Sequence, residues 1–429
     1  MDTPFLTDLD SRAAIKGSRD PLGVQPIWTR FGRHVVGNLT TVSDSARDFG
    51  VVVFGHYLIE QRGGRDDGSS GLATFLKWEQ LAGYARAHVN GDLAFRGTER
   101  VQQQLSERTR VYLSGDAQEQ ILGDQKNYGL WGLYSVPSRA SGLLEGEPAR
   151  LTDDARSLVE QLYLPVLAKN GLEFRALLKL LERERPGVDC DSPLLAAVAH
   201  ILRLKLQKRE AGFFREHLAW GGPTDSTAGL QRLLAEILDS TSAAGDMAWS
   251  AAMVRNLAKH ARQLGEGGPA LADRLDRIVT CESVLAVCAQ AFSYLQGCEN
   301  AKLAAVAKQL RDVWGKGLDT IDLGSFAHVV GEMAGGDPDA EKRWEELAEA
   351  LANGDYARLV QRLLDQNSAV MSQRGGSPWI LLRKDRLDVR FQYESASLPS
   401  KTDLGLLWRS PYFLESLRRV TTAVSAGSP

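Results

Sequence analysis

The sequence predicts a mainly α, helical multi-domain protein that carries a C-terminal β-hairpin plus helix. Three observations lead there. Apolar residues recur at three- and four-residue steps through most of the stretch from about 165 to 370, the period of helices that bury one face. Strict two-residue alternation is concentrated in one late segment, PWILLRKDRLDVRFQYE (378–394), the period of a half-buried strand. A third texture, ASGLLEGEPARLTDDARSLVE (140–160), reads as a short strand, a polar turn, a second short strand and a helix that starts abruptly.

Composition sets the bounds. A chain of 429 residues can hold two or three domains. Its hydrophobic fraction of 43% and charged fraction of 24% are those of an ordinary soluble globular protein. A formal net charge of -3 supplies no global basic field, so contact with nucleic acid requires a local patch or a partner. The start, MDTPFLTDLD, has no apolar core of a signal peptide. The longest apolar run, FGVVVFGHYLIE (49–60), is too short to span a bilayer and reads as a buried element; no membrane association is expected. Cys190, Cys281, Cys288 and Cys298 form no C-x-x-C pair. That argues against a structural zinc site and for a reducing cytoplasm.

Four consecutive segments follow from texture: a mixed N-terminal segment (1–75), a wing-containing domain (76–164), a helical domain (165–370) and a basic hairpin with a helix (371–429). The first segment starts irregularly and turns apolar enough for a buried helix. RGGRDDGSSG (62–71) reads as a solvated, flexible loop. In LATFLKWEQLAGYARAHV, Leu76, Trp78, Leu81 and Tyr84 mark an amphipathic helix. TERVQQQLSER is a further helix, with Thr98 as its expected cap. DAQEQILGDQKNYGLWGLYSVPSRASGLL supplies one or two helices, expected to break or kink at Pro137. SGLL and ARLT are the two strands and residues 146–148 the turn. Thr152 is the N-cap of the next helix, where Asp153 and Asp154 suit the positive end of the macrodipole.

Helix, helix, two-strand wing, helix is the order of a winged helix, and residues 75–164 resemble winged-helix domains. The resemblance implies a DNA-contacting or protein-binding module. The helix that would read bases, KNYGLWGLYSVPSRA, is aromatic and apolar where Arg, Asn or Gln would be needed. Charge over 97–140 balances: Arg100, Arg108, Arg110, Lys126 and Arg139 against Glu99, Glu107, Asp116, Glu119 and Asp124. A neutral wing favours structural or partner-binding work over base reading. Lys126 and Arg139 remain its candidate nucleic-acid contacts.

In the helical segment, Ser192 and Pro193 open one helix, and Leu230, Leu233, Leu234, Ile237 and Leu238 face one way on another. Leu271, Leu275, Ile278, Cys281, Leu285, Cys288, Phe292 and Leu295 make a packing seam, so both cysteines read as core side chains rather than ligands. Asp337-Pro338 starts a helix with Trp344, Leu347, Ala348 and Leu351 inside. Asn353-Gly354 stops it and Asp355 caps the next. No fixed repeat marks a solenoid.

In the late segment Leu387, Val389, Phe391 and Tyr393 alternate with Asp388, Arg390 and Gln392, with the turn at Lys384-Asp385. Arg374, Arg383, Lys384, Arg386 and Arg390 gather there against Asp385 and Asp388. This is the best candidate anion site of the chain. Such a tip holds phosphates without reading bases.

Motifs of catalysis are missing. Gly315-Lys316 lacks the rest of a P-loop, GEGGPA (265–270) follows a helix rather than a strand, and no H-E-x-x-H or nucleophile elbow occurs. His34 and His56 are a possible pair in the N-terminal segment. Glu216 and His217 are neighbours in sequence and are expected on different helix faces. No catalytic residue, metal ligand or cofactor is assigned.

Beyond the wing, DPLGVQPIWTRFGRHVVGNLTT, YGLWGLYSVPSRASGLL, FFREHLAWGGPTDSTAGLQRLLAEIL, NSAVMSQRGGSPWILL and LWRSPYFLESLRRV resemble blocks of an uncharacterised bacterial protein type with an embedded winged-helix-like domain, associated with phage-defence or DNA-modification loci. The resemblance implies a non-catalytic, DNA-associated or scaffolding subunit of a multiprotein complex. Its partners would be other protein subunits, with DNA held non-specifically through phosphates. A stand-alone winged-helix DNA-binding regulator and a nuclease with an unrecognised active site are the alternatives.

Overall fold

The structure, a computed structural model, describes residues 20–62, 69–241, 248–392 and 397–427. Most of the expected 62–71 loop and Tyr393 lie outside the described residues. The chain is mainly helical, 62% helix and 5% strand. In chain order the helices are α1 (Val24–Arg33), α2 (Ala46–Glu60), α3 (Ser69–Tyr84), α4 (Thr98–Glu107), α5 (Gln125–Tyr128), α6 (Leu130–Ala140), α7 (Asp153–Leu158), α8 (Leu164–Lys169), α9 (Phe174–Glu182), α10 (Pro193–Ile201), α11 (Lys208–Phe214) and α12 (Leu230–Ser240). They continue as α13 (Ala251–Arg262), α14 (Gly268–Leu295), α15 (Leu303–Trp314), α16 (Leu323–Ala327), α17 (Val330–Ala334), α18 (Pro338–Asn353), α19 (Tyr356–Gln373), α20 (Lys401–Leu404) and α21 (Leu414–Ala426). π-Helical turns at Ala85–Val89, Val159–Tyr163 and Arg215–Ala219 continue α3, α7 and α11. The strands β1 (Arg110–Tyr112), β2 (Leu144–Glu145), β3 (Arg150–Leu151), β4 (Gly187–Asp189), β5 (Ile380–Arg383) and β6 (Arg386–Val389) pair antiparallel as β1–β4, β2–β3 and β5–β6.

Local chemistry explains most of the boundaries. Thr152 accepts from the Ala155 amide and caps α7, and Ser192 caps α10 with Pro193 in its first turn. Asp337 and Asp355 cap α18 and α19, and Gly354 ends α18 in the left-handed region. Two expectations need correcting. The N-cap of α4 is Gly97, at φ 86, and Thr98 is already helical. Helix α6 runs through Pro137 for a further turn; the break falls at Gly129, between α5 and α6.

Contacts divide the chain differently from the four consecutive segments read from texture. They give two units, each assembled from separate stretches. The first holds residues 20–35 with 248–412, and the second holds 36–241 with 413–427. Contacts far apart in sequence, which composition does not register, decide the division.

The first unit is organised on α14, which packs on α13, α1, α16 and α18. Every residue of the expected seam, from Leu271 to Leu295, is buried, and Cys281 and Cys288 are free thiols inside it. Helix α14 is long and apolar enough to cross a membrane by composition, and 72% of its apolar window is buried within the protein. One carboxylate breaks the seam. Buried Glu282 accepts from the amides of Arg409 (2.6 Å) and Ser410 (3.0 Å) and from the Tyr412 hydroxyl (2.8 Å). Its burial raises its pKa, and these donors oppose the shift.

The second unit surrounds α2, buried continuously from Ala46 to Leu58. Helix α2 packs on α3, α6, α7 and α21. Arg47 meets Glu210 in the interior, and Arg86 bridges Asp48 and Asp92. The element order α5, α6, β2–β3, α7 is the expected one. The hairpin β2–β3 has two residues per strand, and β1 pairs with β4 rather than with it. The winged-helix reading therefore rests on element order.

Candidate functional site

Two regions bear on function, and the hairpin of the first unit was the expected one. Its turn is at Lys384 and Asp385, with φ of 47° and 67°, the conformation of a two-residue hairpin loop. Leu387 and Val389 face inward and are buried, and Phe391 is half-buried and stacks on Trp379. The free edge of β6 is covered. Asn300 and Leu303 donate to the carbonyls of Leu387 (2.8 Å) and Asp385 (3.0 Å), and the Leu387 amide donates to Ala301 O (3.0 Å).

The cations are largely committed. Arg374 donates to the Asp20 carbonyl and lies 3.3 Å from its carboxylate. Arg383 pairs with Asp388 at 2.8 Å. Arg386 donates to Asn300 O at 2.7 Å. That leaves Lys384, exposed at the turn, and half-buried Arg390 without a side-chain partner among the described residues. Three of the five cations thus have a partner: Arg383 within the hairpin, Arg386 against Asn300, and Arg374 at the end of α19 against Asp20.

On the wing, Arg139 donates to the carbonyl of Gly146 in the β2–β3 turn, a structural task. Lys126 is exposed on α5. Helices α5 and α6 expose Tyr128 (63%) and Val136 (70%) on either side of the break at Gly129. These side chains are apolar where a base-reading helix presents hydrogen-bonding ones.

The second region lies around His217 in the second unit. Three segments far apart in sequence meet there, and all three belong to blocks quoted above for the resemblance. Gly142 and Gly222, both at positive φ, let the end of α6 and the loop after the 215–219 turn touch. A Cβ on Gly142 would come within 2.5 Å of the Pro223 side chain, and one on Gly222 within 2.5 Å of Ser141 O. Thr224 adds a hydrogen bond to Ala140 O at 3.1 Å.

Beneath this contact sits a buried amide pair. Asn38 Nδ2 donates to Ser141 Oγ (3.0 Å) and His217 O (2.9 Å). Gln231 Nε2 donates to Asn38 Oδ1 (2.8 Å) and Leu218 O (2.7 Å), while Gln231 Oε1 accepts from the Gly37 amide (2.8 Å). Every group in such a pair must be satisfied, which holds its neighbours in one arrangement.

That arrangement orients His217. Its side chain is 6% exposed. Nδ1 lies 2.9 Å from Ser141 O; a carbonyl only accepts, so Nδ1 carries a proton, and in the singly protonated tautomer Nε2 presents a lone pair. Nε2 lies 4.0 Å from Asp154 Oδ2 and has no hydrogen-bond partner among the described residues. Phe213 packs on the ring, with centroids 4.3 Å apart.

Two adjoining clefts share Asp154, Glu216 and His217. One, of 290 Å³, continues along Leu158, Leu162, Phe213 and Arg209. The other, of 390 Å³, continues along Trp220, Pro223 and Arg232. Glu216, exposed, and His217, buried, both line the groove from the π-helical 215–219 turn, one from the solvent side and one from the interior.

The two histidines of the N-terminal segment fall in different units. His34 lies 3.1 Å from Glu332 in the first unit, and His56 stacks on Trp131 in the second. Burial and the charge of Arg139 lower His56 to about 4. Glu79, buried in the second unit, accepts from the Leu130 amide (2.8 Å) and Gln125 Nε2 (2.8 Å); burial raises its pKa to about 7. Among the described residues no group of three His, Cys, Asp or Glu side chains is placed to hold a metal ion. No family model, curated protein or solved structure matches the chain.

Proposed function

We propose that the chain is a non-catalytic scaffolding subunit of a bacterial multiprotein complex, cytoplasmic and engaged in antiviral defence. It binds other protein subunits, and touches DNA only through phosphates. The observation that carries this reading is the exposure of the large apolar side chains Tyr128 and Val136 on α5 and α6. Exposed aromatic and aliphatic side chains suit a protein partner. The block resemblance supplies the setting of phage-defence or DNA-modification loci.

Affinity capture from the native host tests it. Wild-type protein is expected to bring down stoichiometric subunits, and the double variant Tyr128→Asp, Val136→Asp to lose them while keeping its thermal midpoint. A chain that emerges alone from native lysate defeats the proposal. The DNA contact is tested separately, through Lys384 and Arg390. Replacing both by Ala is expected to lower the log–log salt slope of DNA binding by about 2, equally for all sequences. An unchanged slope removes the hairpin from the contact.

A further inference from the structure

We infer that the groove over His217 receives an arginine side chain from a basic segment of a partner protein, an inference that rests on the complex-subunit function proposed above. The three residues shared by both clefts offer acceptors. In the neutral ring His217 Nδ1–H is taken by Ser141 O, so Nε2 accepts. The carboxylates of Asp154 and Glu216 are exposed and take no side-chain hydrogen bond among the described residues. An occupant must bring the donors.

Of the other charges of the groove, Arg209 is exposed without a side-chain partner among the described residues, and the rest are occupied. Asp225 accepts from the Thr227 amide and hydroxyl and from the Gly229 amide. Arg232 lies 4.3 Å over the Trp220 ring and donates to Glu236 at 2.8 Å. Counting Asp154, Glu216 and Asp225 against Arg209 and Arg232, the lining is net negative, so the complementary occupant is a cation.

Shape narrows the cation further. In one half of the groove Leu158, Leu162 and Phe213 offer an apolar surface that suits a methylene stem. Its head would meet acceptors set at different angles on α7 and on the 215–219 turn. A guanidinium carries five N–H donors in a planar fork and can meet a carboxylate with two of them while reaching an imidazole nitrogen with a third. An ammonium offers a point charge and a shorter reach.

The test uses the full chain labelled with ¹⁵N-histidine, with the His217 ring signals assigned by His217→Gln. The probes are a blocked pentapeptide with one central arginine and its citrulline counterpart, a neutral isostere. The arginine peptide is expected to shift the His217 ring signals saturably, and the citrulline peptide to need at least roughly tenfold more. Asp154→Asn and Glu216→Gln, both at exposed positions, are each expected to weaken the arginine peptide by roughly fivefold to tenfold. Equal response to both peptides, no response at millimolar arginine peptide, or displacement of the peptide by one equivalent of zinc chloride would overturn the proposal. If capture from the host yields no partner subunits while the peptide binds as described, the groove stands and the complex falls. If the complex forms and survives both carboxylate variants while the peptide fails, the groove falls alone.

Discussion

Helix α14 and helix α2 are each the central helix of a unit, and they fill their surroundings with different chemistry. Along α14 the buried stripe is leucine, isoleucine, cysteine and phenylalanine, interrupted by Glu282. Helix α2 takes Arg47 and Asp48 into the interior. There Glu210 accepts from Arg47, from the Tyr163 hydroxyl (2.6 Å) and from the Gln207 amide (3.2 Å). Asp48 meets Arg86 and the Tyr134 hydroxyl (3.1 Å). An apolar seam tolerates imperfect partners, because dispersion and burial are non-directional. A buried charge does not, because losing one partner leaves the other desolvated and unpaired.

The largest effect expected from this contrast is in the second unit. Glu210→Gln keeps the volume but removes the charge opposite Arg47, and should cost about 3–5 kcal/mol. Urea unfolding measures it; a loss below about 1 kcal/mol would mean that the pair is solvated and that the two interiors are alike. In the first unit, Leu285→Ala leaves a cavity in the α14 seam and should cost about 2–5 kcal/mol, largely independent of pH. A near-zero loss would refute the assigned packing of α14.

The pH dependence sharpens the contrast. Glu79 is held up to about 7, so relative to an unfolded glutamate its contribution is complete below about 4.5 and fades as pH rises to about 7. His56 is held down to about 4. Its contribution is complete above about 6.5 and fades as pH falls to about 4. The slopes oppose each other and largely cancel in the wild type. Glu79→Gln removes one of them, so the variant's stability relative to wild type should rise by about 3 kcal/mol from pH 4.5 to pH 7. Denaturant titrations across that range read the difference, and a flat difference would place Glu79 in contact with water.

The same contrast explains what the sequence made legible. The α14 seam, the caps at Thr152, Ser192, Asp337 and Asp355, and the turn at Lys384-Asp385 each depend on residues a few positions apart. All were readable from spacing. The groove depends on Asn38, Ser141, His217 and Gln231, brought together across nearly 200 positions, and nothing local marks them. The basic hairpin shows the same limit: its sequence displays the cations but not Asp20 or Asn300, which engage Arg374 and Arg386 from elsewhere in the chain.

Helix α21 sets a schedule for synthesis. Its Leu417, Val420 and Val424 are buried in the second unit. The Ser416 hydroxyl donates to Thr40 O (2.7 Å), and Arg215 donates to Val424 O (3.3 Å). Yet α21 is translated roughly 170 residues after the rest of that unit, a delay of about 10–35 s at elongation rates of about 5–20 residues per second. Throughout that interval the place of α21 in the second unit is vacant, so the second unit closes only after the whole first unit has been translated.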